Sequence, residues 1–185
     1  MRVIAGKAKG RRLYSVRGPG TRPVTDRAKT ALFSILSNYI ARSEFLDLFA
    51  GTGQVGIEAL SRGAERAVFV EIGGMALRTI RKNLEVTGLK DGAEVVRADV
   101  FQYLAGEPEP FDFVFVAPPQ YRGLWRQTLL VLDRDLGWLA ADGWIIVQIN
   151  PTEYEDLELE NLVLFDQREY GSVMFCFYRP RLEGE

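Results

Sequence analysis

A doubly wound α/β fold is predicted by three features of this sequence. Short apolar runs alternate with segments of helical periodicity, the first run ends in a glycine-rich turn, and two apolar runs close the chain. Alternating strands and helices favour a parallel sheet covered on both faces, and consecutive terminal strands add antiparallel pairing at an edge. The 185 residues, 47% of them hydrophobic, are enough for one domain with a sizeable core.

The segment from Phe45 to Gly56, FLDLFAGTGQVG, predicts the first strand, turn and helix of that sheet. An apolar run interrupted by Asp47 is typical of a buried strand, and Gly51 and Gly53 allow a tight turn that a ligand approaches closely. Helical spacing resumes at Gln54, so the turn meets a helix N-terminus with free N–H groups. The segment therefore indicates a site for a nucleoside-containing ligand. A turn that only packs the helix on the strand has the same pattern.

Two carboxylates indicate the kind of ligand. Asp47, just before the turn, would repel a pyrophosphate but attract an ammonium or sulfonium group. Glu71 closes the second predicted strand about twenty residues after Gly51, where an acid can bind ribose hydroxyls. S-adenosylmethionine carries both cationic groups and no phosphate, so it is the predicted cofactor. The loop also fits the dinucleotide pattern Gly-x-Gly-x-x-Gly, which keeps NAD(P) as the second candidate.

The reactive residue types exclude several chemistries. The chain has one cysteine, Cys176, and no histidine, which rules out an intramolecular disulfide, a cysteine–histidine zinc site and a histidine-dependent hydrolase. No apolar run approaches the length of a membrane span, and the N-terminus lacks the apolar region of a signal peptide. We therefore expect a cytoplasmic monomer that binds no metal and no membrane.

Charge is distributed unevenly along the chain. Residues 1–29 hold nine basic residues and one acidic residue, whereas the remainder holds 14 basic and 24 acidic residues. A basic segment ahead of an acidic body favours a polyanionic partner, and nucleic acid is the partner we predict. A solvated basic tail that binds nothing specific would have the same composition.

The N-terminal segment is predicted to form a basic β-hairpin. Residues 2–6 and 12–16 have strand character around a basic, glycine-bearing turn. Its basic side chains are Lys7, Lys9, Arg11 and Arg12. We place residues 1–21 in this arm and residues 22–185 in the main domain, and the prolines in 18–23 predict a loop between them.

The main domain begins with a helix capped by Thr25 or Asp26. Arg27 and Lys29 lie in its first turns, and we expect their charges to face the substrate. After the glycine turn, strands and helices alternate up to the fifth strand, and two strands follow. Beyond the second strand, which ends at Glu71, we expect strands at 94–99, 111–116, 144–149, 162–165 and 173–178, and helices at 76–84, 100–104 and 124–132.

Two segments that follow predicted strands carry further candidate contacts. Asp99 comes after the third strand, where it either hydrogen-bonds an adenine or only caps the next helix. The segment APPQY, from Ala117 to Tyr121, follows the fourth strand. Adjacent prolines make a rigid turn whose carbonyl oxygens can accept from an amino group while an aromatic ring stacks on the base. A simple strand-ending turn is the alternative.

Together these motifs resemble the class I S-adenosylmethionine-dependent methyltransferases. More narrowly the chain resembles the RsmD family, which methylates the exocyclic N2 of one guanine in bacterial small-subunit ribosomal RNA. The glycine loop is specific to the superfamily, while the arm and the run after the loop indicate the family. The matching segments are RVIAG at 2–6, GRRL at 10–13, RP at 22–23, DR at 26–27, ALF at 31–33, LDLFAGTG at 46–53, GIEALSRGA at 56–64, VE at 70–71, PP at 118–119 and YG at 170–171.

The resemblance implies a Rossmann-like fold and a set of site residues. The sheet would have seven strands, mostly parallel, with an antiparallel edge strand, and the basic hairpin would precede it. The cofactor-binding residues would be Asp47, Ala50, Gly51, Gly53, Glu71, Asp99 and Val100. The target base would meet Ala117, Pro118, Pro119 and Tyr121. RNA phosphates of the small ribosomal subunit would contact Lys7, Lys9, Arg11, Arg12, Arg22, Arg27 and Lys29.

The chain departs from the family pattern at the predicted catalytic turn. The family has Asp before the two prolines and Tyr or Phe after them, whereas this chain has Ala117 and Gln120, with Tyr121 one position later. Thr30 and Val24 stand where Glu and Thr are usual. A guanine amino group is a poor nucleophile, and a carboxylate acceptor orients its N–H and stabilises the charge that develops. Loss of such a group costs on the order of 10² in rate.

Three functions therefore stay open at the level of sequence. The first is transfer of a methyl group to guanine N2 in small-subunit ribosomal RNA. The second is an RNA-binding or ribosome-assembly protein that keeps the fold and lacks transfer because of Ala117. The third is a nicotinamide-dependent oxidoreductase, in which neither Asp47 nor the Pro-Pro turn has a role.

Overall fold

The structure is a computed structural model that describes residues 1–16 and 24–184. Its seven strands are β1 (Glu44–Leu48), β2 (Arg66–Glu71), β3 (Ala93–Arg97), β4 (Phe111–Val116), β5 (Leu139–Ile149), β6 (Leu162–Tyr170) and β7 (Val173–Pro180). Its α-helices are α1 (Asp26–Ile35), α2 (Gln54–Ser61), α3 (Gly74–Thr87), α4 (Val100–Leu104) and α5 (Leu124–Arg134). Short 3₁₀ turns lie at Lys90–Gly92, Leu136–Trp138 and Pro151–Glu153.

The strands form one sheet in the order β3-β2-β1-β4-β5-β7-β6. The five strands from β3 to β5 are parallel, and β7 pairs antiparallel with both β5 and β6. The chain order reverses between β1 and β4, and ligands of open α/β sheets bind at such a switch point, beyond the carboxyl ends of the strands. The predicted fold class is confirmed. The antiparallel strand β7 lies between β5 and β6, and β6 forms the edge of the sheet.

Both faces of the sheet are covered, which explains the continuous apolar runs of the central strands. On one face, Phe45, Phe113 and Phe115 pack with α1, α2 and α3. On the other face, Leu46 and Val114 pack with α4 and α5. Asp47 alternates with Leu46 and Leu48 along β1, so its side chain lies on the first face. Thr25 caps α1, its hydroxyl accepting a hydrogen bond from the Ala28 N–H over 3.2 Å.

The described part of the N-terminal arm, residues 1–16, is hairpin-like but has no regular strands. Arg2 and Arg12 form an isolated antiparallel bridge, and the Val3 N–H donates to the Arg11 carbonyl over 2.9 Å. The two predicted strands are therefore reduced to a single bridge. The reason is that groups needed for a longer ladder bond to another part of the chain.

Helix α2 supplies those partners and holds the arm against the domain. The Glu58 carboxylate accepts from the N–H groups of Ile4 and Ala5 over 2.9 and 3.0 Å. The Ser61 hydroxyl donates to the Ala5 carbonyl over 2.6 Å. The backbones approach so closely that a Cβ on Gly6 would lie 1.8 Å from the Ser61 carbonyl oxygen. The arm thus packs on the helix that follows the glycine turn.

The proposed boundary between arm and domain, at residues 21 and 22, lies outside the described residues. Within residues 1–16 and 24–184, no helix has the length and apolar character needed to cross a membrane.

Candidate active site

A tight turn joins the carboxyl end of β1 to α2. Phe49, Gly51 and Gly53 have φ angles of 61°, 58° and 75°, a left-handed conformation that glycine adopts without strain. The Gly53 N–H donates to the Ala50 carbonyl over 2.8 Å, and α2 begins at the next residue, Gln54. The predicted succession of strand, glycine turn and helix is confirmed.

Asp47 lies below this turn in a buried position. Its side chain is 2% exposed, and Oδ2 accepts a hydrogen bond from the Gly56 N–H over 3.1 Å. Burial raises the pKa of Asp47 from an ordinary value of 3.8 to about 8, the Gly56 hydrogen bond lowers it, and the charge of Glu71 raises it further. A carboxyl group in this state is suited to a cationic ligand, because a nearby positive charge favours its ionised form.

Glu71, the last residue of β2, organises the loops at the switch point. Its Oε2 accepts from the Gly51 N–H over 2.8 Å, and its Oε1 accepts from the N–H groups of Ile72 and Gly73 over 2.9 and 2.7 Å. The carboxylate therefore ties the glycine turn to the loop after β2. Two carboxylate oxygens have about four acceptor positions, which leaves capacity for a ligand hydroxyl.

These groups line a cavity of about 280 Å³ at the carboxyl ends of β1, β2, β4 and β5. The cavity brings together four groups of predicted site residues that are far apart in sequence: Asp47, Ala50 with Gly51, Glu71, and Ala117 with Pro118 and Pro119. Its wall also contains Val16 and Val24, so the cavity adjoins both ends of the segment that joins the arm to α1.

Four of the residues predicted to contact the cofactor or the base do not line this cavity: Gly53, Asp99, Val100 and Tyr121. Asp99 caps α4, with Oδ1 accepting from the N–H groups of Phe101 and Gln102 over 2.9 and 3.3 Å. The helix-cap interpretation of Asp99 is confirmed, and neither bond uses Oδ2. Val100 is buried under the start of the same helix. Contact of an adenine with these residues stays a prediction.

The Pro-Pro turn presents its two ends differently. Ala117, Pro118, Pro119 and Gln120 face the cavity, whereas the ring of Tyr121 is exposed to solvent. Tyr121 has a φ of 61°, uncommon for an aromatic residue, and its N–H donates to the carboxylate of Glu153. Stacking of Tyr121 on a base stays a prediction.

Most of the predicted RNA-binding residues are exposed. Lys7, Lys9, Arg11 and Arg12 display their charges on the arm, Arg27 does so on α1, and Arg22 lies outside the described residues. Lys29 is different. Its side chain is fully buried, and its ammonium donates to the Arg2 carbonyl over 2.6 Å and lies 3.6 Å from Glu58. The prediction that Lys29 contacts RNA phosphates is wrong, because it serves to hold the arm to α1 and α2.

Sequence reasoning missed two features. Gln148, near the end of β5, lines the cavity. The only signal for it is a single amide in the apolar run IIVQI. Helix α3 also presents Arg78, Arg81 and Lys82, whose three- and four-residue spacing indicates one basic face. The Lys82 ammonium lies 3.7 Å from the centroid of the Tyr14 ring, which joins this face to the arm.

A substitution at Gly56 tests the packing of the site. A Cβ there would lie 2.4 Å from Cε1 of Phe69 and 3.2 Å from Oδ2 of Asp47. We expect Gly56→Ala to lower the free energy of unfolding by about 1–3 kcal/mol, measured by urea denaturation, because overpacking forces neighbouring groups to shift. Gly74→Ala, at the start of α3 with no atom within 4 Å of the added Cβ, is the control and should not destabilise. Equal effects at both positions would contradict this account of the site.

The cavity fits S-adenosylmethionine better than a dinucleotide. A cation beside Asp47 would favour the ionised form of this carboxyl and oppose the burial that raises its pKa. Glu71 offers acceptors for hydroxyls, and the glycine turn allows close approach to the backbone. A pyrophosphate at this turn would instead lie beside two acidic side chains. The cavity residues that would hold the cofactor are Asp47, Ala50, Gly51 and Glu71.

Comparison with known proteins agrees with this geometry. The family model described as Conserved hypothetical protein 95 matches residues 1–179. Ribosomal RNA small subunit methyltransferase D of Escherichia coli strain K12 is 37% identical over 186 residues, covering 100% of this chain and 92% of that protein. The solved structure of yhhF from Escherichia coli has 34% identity and a TM-score of 0.87, with 97% of each chain covered. An RNA methyltransferase from Salinibacter ruber in complex with S-adenosyl-L-homocysteine has 15% identity and a TM-score of 0.67, covering 89% of this chain and 98% of that one, and shows the shared fold.

The strand order, the glycine turn after β1 and the acid that ends β2, together with 37% identity to a methyltransferase over the whole chain, define a class I methyltransferase, the class that uses S-adenosylmethionine. Within this class the chain belongs to the RsmD family, the family that the sequence motifs indicated.

Proposed function

We propose that the protein transfers a methyl group from S-adenosylmethionine to the N2 amino group of a guanine in small-subunit ribosomal RNA. The observation that carries the proposal is the cavity, in which Asp47 and Glu71 face the Ala117–Gln120 turn across the ends of adjacent strands. Support for the RNA target comes from the identity of 37% to a ribosomal RNA small subunit methyltransferase over the full length of the chain. The substrate is the small subunit or its precursor in the cytoplasm, and the protein acts as a monomer.

The cofactor supplies an electrophilic methyl group on its sulfonium. The protein's part is to bind and align the two reactants. Asp47 attracts the positive charge, and Glu71 accepts from a ribose hydroxyl. The base leaves its stack to enter the pocket beside Pro118 and Pro119, whose backbone carbonyls accept from its amino group. Alignment of nitrogen and methyl in one line provides most of the remaining acceleration.

The exposed basic residues hold the RNA without reading its sequence, as phosphate contacts do. We expect binding to weaken steeply with salt, with a log–log slope of about −0.7 for each phosphate contacted on a single strand. Replacement of Lys7, Lys9, Arg11 and Arg12 by Gln should reduce that slope by about 3, measured by filter binding of small-subunit RNA across salt concentrations.

The control for this variant is Arg134→Gln. Arg134 is exposed at the end of α5, on the opposite face of the sheet from the arm. This substitution should leave the slope unchanged. A slope that stays the same in the arm variant would show that the arm is not part of the RNA-binding surface.

A second function is favoured by one specific residue. Ala117 provides no carboxylate where the family has one, so a protein that binds RNA or assists ribosome assembly without methyl transfer has the same fold and surface. Cofactor binding does not separate the two functions, because both retain Asp47 and Glu71. A single-turnover measurement of methyl transfer separates them.

The deciding experiment uses radiolabelled S-adenosylmethionine and small ribosomal subunits that lack their native guanine-N2 methylation. Nucleoside analysis follows, with Ala117→Asp run in parallel. Label in N2-methylguanosine from the unaltered protein supports the enzyme. Label only from Ala117→Asp supports the RNA-binding function on a sound scaffold. No label from either, on subunits or naked RNA, would refute the substrate assignment.

A further inference from the structure

The amide oxygen of Gln148, a residue that lines the cavity, is an unpartnered polar atom. This oxygen, Oε1, is buried and accepts no hydrogen bond from any described residue. Trp138 Nε1 is the other such atom in residues 1–16 and 24–184, and Trp138 does not line the cavity. Buried side-chain oxygens nearly always have a partner, so this exception calls for a ligand or another explanation.

Sheet register sets Gln148 beside the position of the missing carboxylate. Val116, the last residue of β4, pairs with Val147 of β5, so Ala117, the first residue after β4, follows beside Gln148 of β5. Such strands lie about 4.8 Å apart, and residues in register share a face of the sheet. Both side chains line the cavity. An acceptor on Gln148 therefore reaches the region that an aspartate at position 117 would occupy.

Packing gives the amide no structural purpose. Gln148 stands opposite Phe175 of β7, and Ile146 precedes it on the same face, both fully buried. An unbranched apolar side chain such as Met would fill this space without leaving a polar atom unsatisfied. Its retention in an apolar run is best explained by a partner that arrives with the substrate.

We propose that Gln148 is a catalytic residue whose carboxamide hydrogen-bonds the amino group that is methylated. This role rests on the proposed function and deepens it. Because Oε1 has no partner where it lies, no hydrogen bond to it holds the amide in this orientation. Rotation about χ3 exchanges the acceptor oxygen and the NH₂ group, so Oε1 can turn to the base when the base enters the cavity. The oxygen accepts one amino N–H and directs the nitrogen lone pair towards the methyl group.

The transfer balances without a protein base. The N2 lone pair forms the new N–C bond, the C–S bond breaks with its electrons left on sulfur, and the extra N2 proton passes to water. Gln148 keeps its hydrogen bond throughout and takes no proton, because a carboxamide is too weakly basic. As a neutral acceptor it stabilises the developing charge less than a carboxylate does. The unaltered protein is therefore a slow enzyme.

The test measures single-turnover methyl transfer to unmodified small subunits. Gln148→Met, which removes the amide and keeps the length, should lower the rate at least about tenfold. Binding of S-adenosylmethionine and of RNA should stay unchanged, and the melting temperature should not fall, because no internal hydrogen bond is lost. The control is Gln102→Met, the same replacement at an exposed position on α4, which should have no effect.

A second measurement separates a catalytic role from a structural one. In the Ala117→Asp background the new carboxylate supplies the acceptor, so Gln148→Met should cost much less there than in the unaltered protein. An unchanged rate in Gln148→Met, or an equal loss in both backgrounds, would overturn the proposal. If Gln148→Met does not fold, Gln148→Leu takes its place. Absence of label from both the unaltered protein and Ala117→Asp would overturn the proposed function, and the role of Gln148 with it.

Discussion

Replacement of Ala117 by Asp is expected to raise the rate of the proposed methyl transfer to guanine N2 by on the order of 10². The side chain at position 117 faces the cavity at the end of β4. A carboxylate there accepts the amino N–H in the transition state, when the nitrogen loses electron density to the methyl carbon. Because this interaction strengthens as the charge develops, it acts on the rate of transfer more than on substrate affinity.

Two neighbours support a carboxylate at position 117. Gln148 follows Val147, which pairs with Val116, and its amide can donate an N–H to hold the orientation of the carboxylate. Asp47 is on the next strand, where it pairs in register with Phe115, two residues before Ala117. When Asp47 is ionised beside a bound cation, the two charges nearly cancel. The aspartate introduced at position 117 can therefore stay ionised.

The measurement is single-turnover transfer at saturating cofactor and subunits. Ala117→Asn is the control, because it adds a group of the same shape without the charge. We expect most of the gain to be absent in Ala117→Asn. Equal rates for the unaltered protein and Ala117→Asp would show that Gln148 and the proline carbonyls already supply the full effect. A gain seen only at subsaturating RNA would point to binding instead of catalysis.

Local patterns predicted much of this structure because the relevant forces are local. The glycine turn follows from the backbone freedom of Gly51 and Gly53, and the cap of α1 from the hydroxyl of Thr25. The meeting of Asp47, Glu71 and the Pro-Pro turn follows from topology, since the carboxyl ends of parallel strands lie at one edge.

Lys29 shows what local reasoning overlooked. Lys29, Phe33 and Leu36 follow the spacing i, i+4, i+7, so the lysine lies on the apolar face of α1. Charge suggested an exposed side chain, but its ammonium is held by Glu58 and the Arg2 carbonyl, 29 and 27 positions away. Desolvation lowers the pKa of Lys29, and the charge of Glu58 opposes that shift. Partners this distant cannot be found from helical periodicity.

The arm and Gln148 were unpredictable for related reasons. The arm ends its ladder after one bridge because Glu58 and Ser61 take its backbone groups, more than fifty positions along the chain. The importance of Gln148 depends on its position beside Ala117 and on the absence of a partner for its oxygen. Neither fact can be read from the sequence. Contacts between residues far apart in the chain thus decided the features that local patterns missed.

Replacement of Asp47 by Asn is expected to weaken binding of S-adenosylmethionine by on the order of 10² or more while raising the melting temperature. Loss of one partner of a buried charge pair has a large cost for the complex. In the free protein the same carboxyl opposes folding, since burial raises its pKa to about 8 from 3.8. Asn keeps an oxygen for the Gly56 N–H and has no charge to desolvate. An increase of several degrees at pH 7 is expected, given roughly 2–4 °C for each kcal/mol in a domain of this size.

The melting temperature and the affinity for the cofactor should both depend on pH through the Asp47 carboxyl. Because the folded state holds the proton more tightly, the stability that protonated Asp47 contributes is full below pH 3.8 and is lost as pH rises to about 8. The melting temperature of the unaltered protein should therefore fall relative to Asp47→Asn between these values. Affinity for the cationic cofactor should change in the opposite direction, rising up to about pH 8, because binding requires the ionised form. Affinity is measured by calorimetry for both proteins, and comparison with Asp47→Asn removes the effect of the cofactor's own titration. If affinity changes with pH in the same way in the two proteins, Asp47 does not contact the cation.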